Sequence, residues 1–249
     1  MPLEHYPQAG FELLDDRVPI WRFMKMWTFA RLIESGSLYF SRADLLGDEH
    51  EGLPLEDCVR HVVANMGQGH TFENTWDELE QDRQGSFISC WTLDESLLMW
   101  KKFAPQGVAV KSACDRLKGA LDAIPARTMV GHVRYSLKHE GFNILRFITT
   151  KRPEYSGEKE VRALVWDLER SPQNPVPHDM PGGLSYSVDV LSVVQTVIIS
   201  PHAPAGVIDE VQKLLRKSGY ESIAVVKSGF TGYDHLLPNA DEIARYAGK

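Results

Sequence analysis

Two hydrophobic periods organise this chain, one helical and one of strand type. "VPIWRFM" (18–24) is an apolar run suited to a strand. In "TFARLIESG", Phe29, Leu32 and Ile33 fall at helical spacing, with Thr28 placed to cap the start and Gly36 to end the helix. "SLYFS" (37–41) returns to strand. Residues 43–85 are polar and irregular, with helices expected around Leu55–Val63 and Trp76–Leu79, and read as a lid-like insertion. "SFISCW" is rich in β-favouring residues. Thr92 and Glu95 have the spacing of a capping box for a helix whose inner face would carry Leu98, Met99 and Phe103. "GVAVKS", "CDRLKGALDAI", "VGHVRYS" and "EKEVRALVW" then read as strand, helix, strand and strand, followed by a Pro-rich loop over 172–181. The tail, "VVQTVIIS", "GVIDEVQKLLRKSG" and "SIAVVKS", is a strand–helix–strand unit within 189–228, with Val207, Val211, Leu214 and Leu215 inward. The pattern predicts one α+β domain over 1–249, with short strands outnumbering the βαβ element.

Within "KRPEYSGEKEVRAL" a strand would place Glu158, Glu160 and Arg162 on one face and Val161, Ala163 and Val165 on the other. Two carboxylates roughly 7 Å apart on one side of a sheet have two readings. One is the solvated face of an edge strand with an internal Glu–Arg pair. The other is a catalytic or ligand-binding surface.

Composition narrows the choice. The 249 residues are 43% hydrophobic and 24% charged, enough for a sizeable core. A net charge of −7 gives no overall attraction for nucleic acid or anionic lipid, although Lys101–Lys102 and Lys151–Arg152 form local basic clusters. No apolar run approaches the ~18 residues of a membrane span. The first residues carry Glu4 and no apolar stretch of the secretory kind, so a cytoplasmic location is expected. Cys58, Cys90 and Cys114 show no C-x-x-C spacing. Asp48, His50 and Glu51 form an acidic turn that nothing completes as a metal site, so no metal is expected. Phosphate-binding glycine loops and the G-x-S-x-G pattern are missing.

Arg22 lies among Ile20, Trp21 and Phe23, where a guanidinium needs a partner. That partner is either a carboxylate (Asp44, Glu158 or Glu160) or the phosphate or ribose of a ligand. Ser89, a hydroxyl among bulky neighbours, has the same two readings. Trp100, one helical turn before Phe103, sits at a spacing typical of core aromatics.

The segments "IWRFMKMWTFARLIESGSLYFSRADLLGDEHEG", "FISCWTLDESLLMWKKFAPQGVAVKS", "GHVRYS" and "KRPEYSGEKEVRAL" resemble the bacterial family catalogued as domain of unknown function 2971. The chain departs from that pattern at "GDEHEG", where the family form looks like Asp-Pro-Phe-Glu. The order of an early Arg strand, a Ser strand and a late Glu-x-Glu strand is also similar to the ADP-ribosyltransferase superfamily. That resemblance implies a split, mainly antiparallel mixed sheet, NAD as substrate, and a possible place in a bacterial toxin or defence system. By it Arg22 would contact phosphate or ribose, Ser89 would shape the nicotinamide pocket, Glu160 would hold the ribose and stabilise the transition state, and Glu158 would be accessory. Arg22 and Glu160 are then expected to face one cleft. Arg42, Lys151, Arg152 and Arg162 are further cations that an anionic dinucleotide or other phosphate-bearing ligand would need, and Trp100, apart from its core reading, is a further candidate for binding. Two other functions compete: a non-catalytic small-ligand or protein-binding module, and a metal-dependent nuclease using Asp48, Glu158, Glu160 and a lysine.

Overall fold

The computed structural model describes residues 11–12, 14–48, 52–54, 59–60, 63–64, 72–137, 144–166 and 181–230. The fold is α+β around a nine-stranded sheet that is antiparallel except for one pair. Strands β1 (Pro19–Met24), β2 (Ser37–Arg42), β3 (Ser86–Thr92), β4 (Val108–Ala113), β5 (Arg127–His132), β8 (Glu160–Trp166), β9 (Gly183–Ser187), β10 (Thr196–Ile199) and β11 (Ala224–Lys227) belong to it. Strands β6 (Arg134–Tyr135) and β7 (Thr150–Lys151) make a separate parallel ribbon.

The main path runs β11-β10-β4-β1-β3-β2-β9, and β8 lies between β3 and β5. Strand β3 therefore gives one edge to β8 and shares the other between β1 and β2. On the shared edge, Arg42 and Ser41 of β2 pair with Phe87 and Ile88, and Trp21 of β1 pairs with Thr92. Ser89, Cys90 and Trp91 fall between those registers, so the sheet is split beside them.

One face of the sheet is covered by helices α1 (Met26–Ser35), α4 (Cys114–Leu121), α6 (Val190–Val193) and α7 (Val207–Lys217). Phe29, Leu32, Ile33, Leu117, Leu121, Val211 and Leu215 pack there against Phe87, Trp91, Val161, Ala163 and Val165. The other face carries two separate apolar clusters. One joins Leu79 of α2 (Phe72–Gln84) and Leu145, Phe147 and Ile148 of α5 (Ile144–Ile148) to Ile88, Met129 and Leu164. The second joins Trp100 and Ala104, from and just after α3 (Leu97–Phe103), to Ala109, Ile198, Trp21, Phe23 and Phe230. Between these clusters β3 and β8 present Cys90 and Arg162, then Thr92 and Glu160. The polar groups thus occupy a seam in an otherwise apolar layer.

Several local expectations need correction. Helix α1 begins at Met26 behind Lys25, ahead of Thr28, though Gly36 closes it in the left-handed conformation at φ 60°. The cap of α3 is Ser96, whose Oγ accepts from the Met99 amide at 3.2 Å. Thr92 ends β3 instead, its hydroxyl donating to the Glu158 carbonyl. Phe103 is 38% exposed, and Met99, Trp100 and Ala104 form the inner side. The helix over Trp76–Leu79 extends across Phe72–Gln84, and Leu79 packs under the sheet. The helix expected over 55–63 and the Asp48–His50–Glu51 turn fall largely outside the described residues. The tail follows expectation: β10 and β11 pair in parallel around α7, with Val207, Val211 and Leu215 buried and Leu214 partly buried against the same core.

Candidate functional site

Strand β8 is an interior strand, buried from Glu160 to Val165, so the solvated-edge reading of its charges does not hold. Glu160 and Arg162 share a face by alternation. Glu158 reaches them differently. It ends the 3-10 turn Pro153–Glu158, and Lys159, left-handed at φ 42° and ψ 49°, reverses the chain before β8 begins. Both carboxylates are brought together by this turn and not by strand periodicity.

Every carboxylate oxygen of the pair faces a cation. Arg162 Nε donates to Glu160 Oε1 at 2.8 Å, and its second terminal nitrogen donates to Oε2 at 3.2 Å. Lys151 Nζ lies 2.7 Å from Glu160 Oε2 and 3.0 Å from Glu158 Oε2. Lys102 pairs with Glu158 Oε1, and Arg162 also donates to the Ile148 carbonyl. Three cations meet two carboxylates, which leaves local positive charge within an acidic protein. The ribbon β6–β7 delivers two of the contacts, because Tyr135 and Lys151 are register partners. The Tyr135 hydroxyl accepts the Glu160 backbone N–H at 2.7 Å. Burial pushes the Tyr135 pKa up to about 12, so it stays a hydroxyl at neutral pH.

Burial alone would raise the Glu160 pKa. Arg162, Lys151 and hydrogen bonds from Arg162 and Cys90 outweigh it and hold the carboxyl well below the usual range. Glu160 is therefore ionised while almost out of water, at 4% exposure.

Cys90 is the sole exposed residue of β3, between buried neighbours. Its thiol hydrogen-bonds the Glu160 carboxylate and is pushed up in pKa, first by surrounding protein and then by the Glu160 charge.

Arg22 does not share the Glu160 face. Trp21 pairs with Thr92, which pairs with Glu160, so Trp21 takes that face and Arg22 the opposite one. Its guanidinium turns into the split, donating to the Tyr39 carbonyl of β2 at 2.9 Å. Strand carbonyls point along the sheet, so this bond holds the charge in the gap between β1 and β2. The Trp91 ring lies against it at 5.9 Å, and desolvation lowers the Arg22 pKa. Arg22 also lines a cavity of ≈ 440 Å³ between β1, α1 and β2. Trp27, Thr28, Arg31, Ser37 and Tyr39 share its wall, with Arg31 5.9 Å from the Tyr39 ring.

The other sequence candidates separate. Ser89 is fully buried on the Trp91 face, accepting the Trp91 indole N–H at 3.1 Å, and Cys90 takes the open position beside it. Trp100 is fully buried, donates to Glu95 at 2.9 Å and packs edge-on against Phe23, which makes it a core residue and not a wall of a binding site. Arg42 forks onto Asp44 at 2.7 and 3.0 Å. Arg152 lies 3.9 Å from Glu154 near the surface. Tyr135 and Arg31 were missed, Lys102 was seen only as part of a basic cluster, and Cys90, whose place between Ile88 and Trp91 suggests a buried thiol, is exposed. The Cys90 position follows from strand parity against the core residues Phe87 and Trp91, but the others depend on long-range packing. Among the described residues no group of three or more metal-ligating side chains gathers, and no helix is long and apolar enough to cross a membrane.

No protein-family model matches the chain, and no curated protein does. Among solved structures it is similar to Thermus sp. 2.9 DarT in complex with NAD+, with a TM-score of 0.40 and 8% identity over 87% of this chain and 98% of that one. It is also similar to Thermus sp. 2.9 DarT in complex with ADP-ribosylated ssDNA, with a TM-score of 0.37 and 9% identity over 88% and 97% of the two chains.

Proposed function

We propose that the protein is an NAD-using enzyme of glycosyl transfer, an ADP-ribosyltransferase or NAD glycohydrolase, with the dinucleotide laid across the split between β1 and β2. The observation that carries this reading is the ionised, desolvated Glu160 carboxylate next to the exposed Cys90. The cavity on the other side of the split adds the chemistry a dinucleotide needs. Arg22 and Arg31 suit a pyrophosphate, and Trp27, 60% exposed, offers a ring for base stacking. Its volume falls within the range of about 300–1,000 Å³ common for ligand sites.

In the reaction the bond between ribose C1′ and the nicotinamide nitrogen breaks, and the electron pair leaves with nicotinamide. Positive charge develops on the ribose, and water or an acceptor nucleophile then bonds to C1′. Glu160 is the carboxylate that stabilises this charge, and Glu158 acts on it through Lys151. Arg22 holds phosphate from within the split. The motif resemblance to the bacterial domain of unknown function 2971 family, a role in a bacterial toxin or defence system, and action in the cytoplasm belong to the same proposal.

A second reading, a non-catalytic binding module, is favoured by one observation: both oxygens of Glu160 are already engaged by Arg162 and Lys151. Calorimetric titration with NAD, with and without a divalent metal, together with an assay for released nicotinamide, separates the two. Binding with release supports the enzyme, and binding without release supports the module. A requirement for the metal would point to neither.

A further inference from the structure

We infer that Lys151 is a positioning residue whose contact with Glu160 is exchanged for a hydroxyl of the ligand's ribose when the site fills. This rests on the NAD reading above and concerns how the closed carboxylate opens. The two cations on Glu160 differ in what they can fall back on. Arg162 is fully buried and also donates through Nη1 to the Ile148 carbonyl, so withdrawing it from Glu160 would leave a buried guanidinium without its carboxylate. The Lys151 ammonium has a second carboxylate, Glu158, at 3.0 Å and the Tyr155 ring at 5.4 Å. It can release Glu160 Oε2 and remain paired. The released oxygen stays ionised on Arg162 and accepts from a sugar hydroxyl. A vicinal diol is the matching ligand group, since it supplies a donor without bringing a charge.

The groups facing Glu160 are Arg162 on its own strand, Lys151 and Tyr135 on the ribbon, Cys90 on β3, and Glu158 before the turn. Lys151 is the cation among them that contacts both carboxylates.

The test compares parent protein, Lys151→Met and Lys151→Arg by calorimetric titration with NAD and by kcat and KM for nicotinamide release. Removing the competing ammonium should tighten NAD binding about fivefold, the worth of one net hydrogen bond. The change should fall mainly on KM, because Arg162 still holds the carboxylate ionised. Lys151→Arg should weaken binding by a similar factor, since a fork grips the carboxylate harder. Weaker binding by Lys151→Met, as for an ordinary ligand contact, overturns the exchange. If Lys151→Met does not fold, Lys151→Arg decides, and binding at or above parental strength overturns the inference. A parent that binds no NAD refutes the NAD reading and the exchange with it. Parental binding with unchanged variants refutes the exchange alone.

Discussion

Arg162 and Glu160 form a two-point pair at 2.8 and 3.2 Å on alternate positions of one strand, and neither is more than 4% exposed. Breaking such a buried pair from one side leaves the other charge unpaired, which typically costs about 3–5 kcal/mol. Glu160→Gln should therefore lower the urea midpoint clearly. Lys159→Met, which removes an exposed pair with Asp94, should cost no more than about 1 kcal/mol. Similar losses for both would mean that the buried pair is not holding this part of the fold.

Stability should depend on Glu160 in acid. Its folded pKa lies below the ordinary glutamate value, because Arg162 and Lys151 overcome the effect of burial. A depressed carboxylate contributes fully above its unfolded value and loses that contribution as pH falls through the folded one. The stability gap between parent and Glu160→Gln should be constant between about pH 7 and pH 5 and narrow steadily below about pH 4. Urea midpoints across that range measure it, and a gap that widens in acid would reverse the sign.

Cys90 should react slowly although it is exposed. Surrounding protein and then the Glu160 charge raise its pKa, so little thiolate forms at neutral pH. Alkylation followed by mass spectrometry should find Cys90 slower than a free cysteine in peptide. Glu160→Gln should accelerate it, since Arg162 and Lys151 then act on the thiol without the opposing carboxylate. Fast parental alkylation would contradict the raised pKa.

Arg22→Ala should weaken NAD binding by about tenfold or more, as expected for loss of a charge-assisted contact. The same change removes the side-chain bridge to Tyr39 across the split, so melting temperature should be recorded alongside affinity. Unchanged affinity in a folded variant would remove Arg22 from the ligand site.

Much of the scaffold was legible in the sequence. Strand β1, helix α1, β3 and the closing strand–helix–strand unit follow from period and turn residues, because those signals are local. The site was legible only in part. Glu158, Glu160, Arg162 and Lys151 do converge, but strand alternation explains only Glu160 and Arg162. Lys159 turns the chain at Glu158 through a positive φ, a conformation that nothing in the residue type announces. Arg22 was placed on the wrong face because the β1–β3 register rests on the single pair Trp21–Thr92, which is a tertiary choice. Trp100 was read both as a core aromatic by its spacing and as a binding residue, and it lies in the second apolar cluster, where its indole has Glu95 as partner. The roles of Lys102 and Tyr135 were not legible, since each meets the carboxylates across long stretches of chain.

The most direct measurement is nicotinamide release from NAD by the parent and by Glu160→Gln, at a temperature where both are shown to be folded. Loss of stability is expected for this variant under either reading, so the melting temperature alone cannot decide. The account predicts release by the parent, a fall in kcat of about a hundredfold or more in the variant, and NAD affinity changed little, because the charge matters most in the transition state. No release by the folded parent, with water and candidate acceptors present, would contradict the enzymatic account and leave the buried carboxylates as a structural pair.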